Sequence, residues 1–137
     1  MRLTKFLALL VIVMLTSCKL DPPHSVYTDV LIPVTERLVP RTAVVNQPFT
    51  IYAMATMDNG CWSNIRFVFD ETDDRQYELI GLADFETYGS CPDVLVGGDT
   101  TITVTPTRTG NHVLTVWMDH NTSEKDTILV VAAAPGK

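Results

Sequence analysis

The chain has 137 residues, about one domain's worth, of which 46 % are hydrophobic and 19 % charged. That balance excludes a disordered polyampholyte, whose low apolar content cannot offset chain entropy. Ten Lys and Arg against sixteen Asp and Glu give a net charge of −6, which argues against nucleic acid or an anionic lipid surface as a charge-steered partner.

The N-terminus reads as an address. Arg2 and Lys5 precede an unbroken apolar run from Phe6 to Leu15, followed by the small polar residues Thr16 and Ser17, the layout of a secretory leader. As a helix that run covers about 15 Å, half of a ~30 Å hydrocarbon core, so export is expected rather than a permanent span. Loss of Arg2 and Lys5 with the leader leaves eight cations against sixteen carboxylates, or −8.

The residues Leu15-Thr16-Ser17-Cys18 resemble the lipobox of bacterial lipoproteins. The resemblance implies cleavage before Cys18, a diacylglycerol group on its thiol and an acyl chain on its new amino group. Chains buried at about 0.8 kcal/mol per methylene anchor a protein firmly once there is more than one of them. The expected partner is therefore a membrane, reached through the lipid on Cys18. Lys19 stands where aspartate accompanies inner-membrane retention in enterobacterial lipoproteins, so an outer-membrane destination in the cell envelope is favoured. The expected organisation is a signal peptide over 1–17, a lipidated tether over 18–25 stiffened by Pro22-Pro23, and one folded domain over 26–137.

Beyond the tether the pattern turns to period two. Phe49, Ile51, Ala53 and Ala55 alternate with Thr50, Tyr52, Met54 and Thr56, and Leu114, Val116 and Met118 alternate with Val113, Thr115 and Trp117. About seven strands are predicted: 26–39 broken at Pro33, 49–56, 64–70, 75–82, 100–105, 111–118 and 125–131. Turn chemistry separates them at 46–48, Asp58-Asn59-Gly60, Asp70 to Asp74, Gly97-Gly98-Asp99, 106–110 and 119–123. No window shows a helical period. The fold class is all-β, a sandwich of antiparallel strands.

Without Cys18, Cys61 and Cys91 remain as an even pair in an exported chain. A disulfide is expected, closing a loop of about 30 residues for roughly 3.5 kcal/mol of chain entropy. Two free thiols or half of a metal site are the alternatives, although no Cys-x-x-Cys spacing supports zinc. The run Thr105-Pro106-Thr107-Arg108-Thr109-Gly110-Asn111-His112-Val113-Leu114-Thr115-Val116 resembles the E–F corner and F strand of immunoglobulin-like domains in small Bacteroidetes-type surface lipoproteins. His112 replaces the corner tyrosine of that family, and an imidazole is able to reach a carbonyl in its place. The resemblance implies an immunoglobulin-like sandwich and carries no activity with it.

No nucleophile signature is present. Of three imidazoles, His24 lies in the tether and His112 at the corner, which leaves His120 in Asp119-His120-Asn121 as a candidate ligand or base. The acidic run 70–74 lacks the layout of a calcium loop and reads as a solvated hairpin. In an immunoglobulin-like order the connections 57–63, 83–99 and 119–123 gather at one pole, with both cysteines. Trp62 and Trp117 near that pole form a candidate stacking platform for sugar rings or a protein anchor, the other possibility being that both serve packing. The first strand starts at the same pole, so a lipid on Cys18 turns it toward the membrane. The reading is a non-catalytic, lipid-anchored envelope protein that binds another envelope protein or a glycan and takes no cofactor or metal. Its alternative is an accessory carbohydrate-binding module using Trp62 and Trp117, and a small hydrolase is the least supported.

Overall fold

The computed structural model describes residues 23–134, among which every regular element is a β-strand. Nine strands form where seven were predicted: β1 (Ser25–Ile32), β2 (Glu36–Leu38), β3 (Thr42–Val44), β4 (Phe49–Met57), β5 (Trp62–Asp73), β6 (Gln76–Thr87), β7 (Val96–Val104), β8 (Gly110–Trp117) and β9 (Ser123–Val131). They make two sheets, one of six strands and one of three, the latter in the order β2-β4-β7.

β6 is the spine of the larger sheet. β5 pairs antiparallel along one of its edges. Its other edge is divided: β8 pairs parallel with Gln76–Ile80, and β1 pairs antiparallel with Gly81–Thr87. β8 continues antiparallel to β9, whose last three residues pair parallel with β3, so two pairings are parallel where antiparallel strands were expected; each joins strands that are not neighbours in sequence, as a parallel pair requires. The first segment therefore changes sheet twice. Pro33 has no amide proton to continue a ladder, and after it the chain crosses: Val34 drops into the core and the Thr35 amide donates to Met54 O in the opposite sheet. β2 pairs there with β4, and β3 returns to the first sheet.

The core is the set of inward positions that the alternation marks out. Ile51, Ala53 and Ala55 of β4 and Val104 of β7 face Tyr77, Leu79, Leu114, Val116, Ile128 and Val130 from the larger sheet. Toward the end of β4 the layer thins to Ile32, Ala55 and Ala83, filled from β5 by Ile65, Phe67 and Trp62.

Several predicted boundaries need correction. Gly97-Gly98-Asp99 is strand, not turn: Gly98 faces inward on β7, where a Cβ would lie 2.8 Å from a methyl of Ile65, so the glycine permits close approach of β7 and β5. β5 runs on through Asp73, which confines the acidic turn to Asp74-Arg75. β6 extends to Thr87 and shrinks the expected 83–99 connection to 88–95. The sandwich also takes in Ser25 and His24, earlier than the expected start at 26: Ser25 pairs with Thr87, and the His24 ring stacks on Tyr88 at 4.3 Å.

Candidate functional site

Strand directions sort the connections into two poles. The β4–β5 and β6–β7 connections and the start of β1 share one, and the β3–β4, β5–β6 and β7–β8 turns share the other. At the first, Cys61 and Cys91 are joined by a disulfide across a Cα–Cα separation of 5.2 Å. Backbone bonds reinforce it: the Gly60 amide donates to Pro92 O at 2.8 Å and the Glu86 amide to Cys61 O at 2.9 Å.

Odd-numbered residues of upper β6 face the core and even-numbered ones face outward, and each side builds something different. On the inner side Trp62 meets Phe85 edge-on at 4.9 Å, and Phe85 lies 6.2 Å from Tyr27. This aromatic series runs from the thin end of the core into solvent, where Tyr27 is 58 % exposed.

On the outer side Asp84 is gripped by two bulges. Register breaks fall in β1 between Tyr27 and Val30 and in β5 between Ser63 and Arg66, and each holds a residue in the left-handed region, Asp29 at φ 55° and Asn64 at φ 50°. Asp and Asn are the side chains that tolerate this backbone best after glycine. The Asn64 amide group donates to Asp84 Oδ2 at 2.8 Å and the Asp29 backbone amide to Oδ1 at 3.0 Å. The Arg66 guanidinium reaches Asn64 O, Asp84 and the Asp29 carboxylate. The bond from Asn64, then that from the Asp29 amide, hold the Asp84 carboxyl below its usual range. Close by, Glu86 pairs with His24 at 3.1 Å and accepts from the Tyr88 hydroxyl at 2.9 Å, which lowers its own carboxyl and raises the Tyr88 phenol.

The opposite pole is closed by a buried network. His112 is fully buried, with Nε2 2.8 Å from Arg108 O and Nδ1 2.8 Å from the Tyr77 hydroxyl. A carbonyl only accepts, so Nε2 carries the proton and the Tyr77 hydroxyl donates to Nδ1. The corner imidazole thus does reach an upstream carbonyl. Burial, with Glu71 nearby, raises the Tyr77 phenol.

The sequence-predicted site residues are not brought together. Cys18 lies outside the described residues. Trp62 points into the thin end of the core. Trp117 sits opposite Ile80, five residues down β6 from the Trp62 partner Phe85, and projects from the outer face because Val116 and Leu114 take the inner one. Five residues at about 3.3 Å each separate the indoles along the strand, and the sheet lies between them, so they form no shared platform. The 118–122 turn is correspondingly low, not level with the disulfide. There His120 is exposed, and the Asp119 carboxylate is taken up by the amides of Asn121 and Thr122 and the Thr122 hydroxyl, a turn-forming role. The hydrogen bonds of His24 and His112 go to Glu86, Tyr77 and Arg108, and none reaches a serine or cysteine. Among the described residues no group of three or more His, Cys, Asp and Glu is placed to hold a metal ion.

Sequence reasoning missed two polar constellations. One is the Asp84 clamp. The other closes the side of the sandwich where β2 and the upper half of β9 lack further strands: Arg37 donates to Asp126 at 2.6 Å and Glu124 at 2.7 Å, beside an open groove of about 680 Å³ along Thr35–Pro40. The available signal for the second was that Glu124 and Asp126 share the phase of the buried Ile128 and Val130, which marks inward-pointing charge at an edge. No family model matches the chain, and no curated protein or solved structure matches it at a significant level.

Proposed function

We propose that the chain is a non-catalytic, lipid-anchored protein of the bacterial envelope, acylated at Cys18, whose domain is a variant immunoglobulin-like sandwich with a binding or structural role. The single observation that carries the reading is the Cys61–Cys91 disulfide. It requires an oxidising compartment, and the apolar leader ending at Leu15-Thr16-Ser17-Cys18 supplies the route to one.

Three features support the immunoglobulin-like component: the β7–β8 corner tied by His112 to Arg108 O, the β4–β7 pairing opposite a β8–β9 hairpin, and a first segment that changes sheet to run parallel to the last strand. One feature makes it a variant. The full-length strands of immunoglobulin sheets pair antiparallel, whereas β8 lies parallel to β6. The β5–β6 hairpin has moved its second strand, rather than its first, beside β8.

Mass spectrometry of the chain recovered from native membranes tests the proposal. The expected product begins at Cys18, carries a diacylglyceryl thioether and an N-acyl group, and contains the Cys61–Cys91 bond. A free thiol at Cys18 with residues 1–17 still attached overturns it.

A further inference from the structure

The apolar surface is unevenly distributed. Of the nine exposed large hydrophobic side chains among the described residues, five gather at one pole, Val26, Tyr27, Tyr88, Val94 and Leu95, with Tyr88 at 63 % and Leu95 at 72 %, while Leu38, Val68, Leu129 and Val131 are spread over β2, β5 and β9. The five come from the start of β1 and from the 88–95 connection, both at the disulfide pole. That connection is held in place: Cys91 is bonded to Cys61, Pro92 O accepts from the Gly60 and Val94 amides, and Val94 packs on Gly60 so closely that a Cβ there would lie 2.8 Å from its methyl. Val94 and Leu95 are presented on a rigid support, so ordering them against a partner costs little further entropy.

The polar groups around this surface are satisfied among themselves. Glu86 is paired with His24 and Tyr88, and Asp84 with Asn64, Asp29 and Arg66, which leaves Asp58 in the β4–β5 connection and Asp93 within 88–95 as the loop carboxylates of this pole that have no cation partner among the described residues. Exposed tyrosines beside aliphatic side chains, with few free charges, suit the boundary between lipid headgroups and acyl chains. Position selects the same occupant. Ser25 is the seventh residue after Cys18, a reach of at most about 25 Å, and it enters the fold at this pole.

We infer that the disulfide pole is a membrane-docking surface: Tyr27, Tyr88, Val94 and Leu95 rest in the headgroup region of the bilayer that holds the Cys18 lipid, and the opposite pole faces away. This rests on the anchoring reading. It adds a fixed orientation, in which the domain lies against the bilayer instead of swinging on its tether.

The test uses the full acylated chain in phosphatidylethanolamine and phosphatidylglycerol vesicles whose acyl chains carry bromine, a short-range quencher. In a W62F/W117F background, L95W reports on the disulfide pole and T107W on the other. The expected result is a loss of about twofold or more in L95W emission with T107W unchanged, since only the first indole lies at the depth of interfacial residues. Equal emission with and without bromine for L95W, on a chain shown to be acylated, overturns the docking and leaves the anchoring intact. An unacylated Cys18 overturns both. L95W emission that shifts with the density of protein on the vesicle, without quenching, assigns the pole to a second copy and also overturns it. Hydrogen exchange on the unsubstituted chain gives a reading independent of the tryptophan variants: on vesicles the 88–95 amides are slowed severalfold by contact of Tyr88, Val94 and Leu95 with lipid relative to a Y88S/V94S/L95S chain, and equal rates overturn the inference.

Discussion

The two poles of this sandwich are closed by different chemistry, and the difference follows from how the core is filled. Toward the corner pole Tyr77, Leu79, Leu114, Val104 and Phe69 fill the space between the sheets, and the closure is internal: one imidazole joins a phenol on β6 to a backbone carbonyl of the β7–β8 connection. Toward the disulfide pole the inward residues of β4, β6 and β7 shrink to Ala55, Gly81, Ala83 and Gly98, and the gap is filled mainly from β5, by Ile65, Phe67 and Trp62. There the closure is covalent. Where packing thins, a bond between loops adds to the contact between layers.

Removing each closure should loosen its own pole first. The largest effect is expected from Cys61→Ala with Cys91→Ala. A loop with a separation of 30 residues corresponds to about 3.5 kcal/mol in the chain-entropy account. At roughly 4 °C per kcal/mol the melting temperature drops by about 15 °C. Hydrogen exchange in the variant should rise at 57–62 and 85–96 before it rises at 105–115. Uniform loosening would mean that the thin end of the core is not the weak end.

His112→Phe is the matching change at the other pole. It leaves the Tyr77 hydroxyl buried without a partner and the half-buried Arg108 O without its donor, an expected loss of about 2–3 kcal/mol measured by denaturant unfolding. Adding Tyr77→Phe removes one of the two orphans, so the double variant should be no less stable than His112→Phe alone. Simple additivity of the two losses would show that the imidazole bridge is not one unit.

Gly98→Ala probes the thin end directly. A methyl group there must displace Ile65, against which it would lie at 2.8 Å. Overpacking of this kind costs about 1–3 kcal/mol. Ile65→Val should recover part of the loss if the clash is local.

What was legible in the sequence divides along the same line. Alternation exposed the inward faces of β4 and β8, because Ile51, Ala53, Ala55, Leu114 and Val116 are buried on one side and polar neighbours face out. The same rule failed at Gly97-Gly98-Asp99, where the residues that usually signal a turn serve close packing between strands distant in sequence. It failed again at the outer ends of β5 and β6, whose charged residues belong to ladders that extend beyond the core. β3 is only Thr42–Val44 and pairs with a strand 87 residues later, so no local pattern marked it. The disulfide could be read from cysteine arithmetic, and the contact of His112 with a carbonyl four residues upstream from the corner motif, whereas its other partner, Tyr77, lies 35 residues away and had no local signal. The failure of Trp62 and Trp117 to meet depends on which strand of the β5–β6 hairpin lies beside β8, a tertiary choice that period two does not encode.

The smallest expected effect separates the poles by pH. Asp84, Glu86 and Asp119 are each held below the usual carboxyl range, and two of them flank the disulfide pole. For Asp84 the folded value lies below its ordinary 3.8. In the fold it therefore binds its proton less readily than in the unfolded chain, and the unfolded chain takes up protons first as pH falls. The stabilisation is fully present above that ordinary value and is lost as pH drops through the lowered one. Its largest cause is the bond from Asn64, a residue at φ 50°. Asn64→Gly accepts that backbone at no steric cost and deletes the donor, so it isolates the hydrogen bond; Asn64→Ala deletes the donor and adds backbone strain. In the glycine variant the acid unfolding midpoint should move up in pH while stability at pH 7 changes less than in the alanine variant. Carboxyl NMR of Asp84 gives the direct reading. An unchanged Asp84 titration in Asn64→Gly would mean that Arg66 and the Asp29 amide suffice to hold the charge, and that the second bulge serves the shape of β5 rather than its electrostatics.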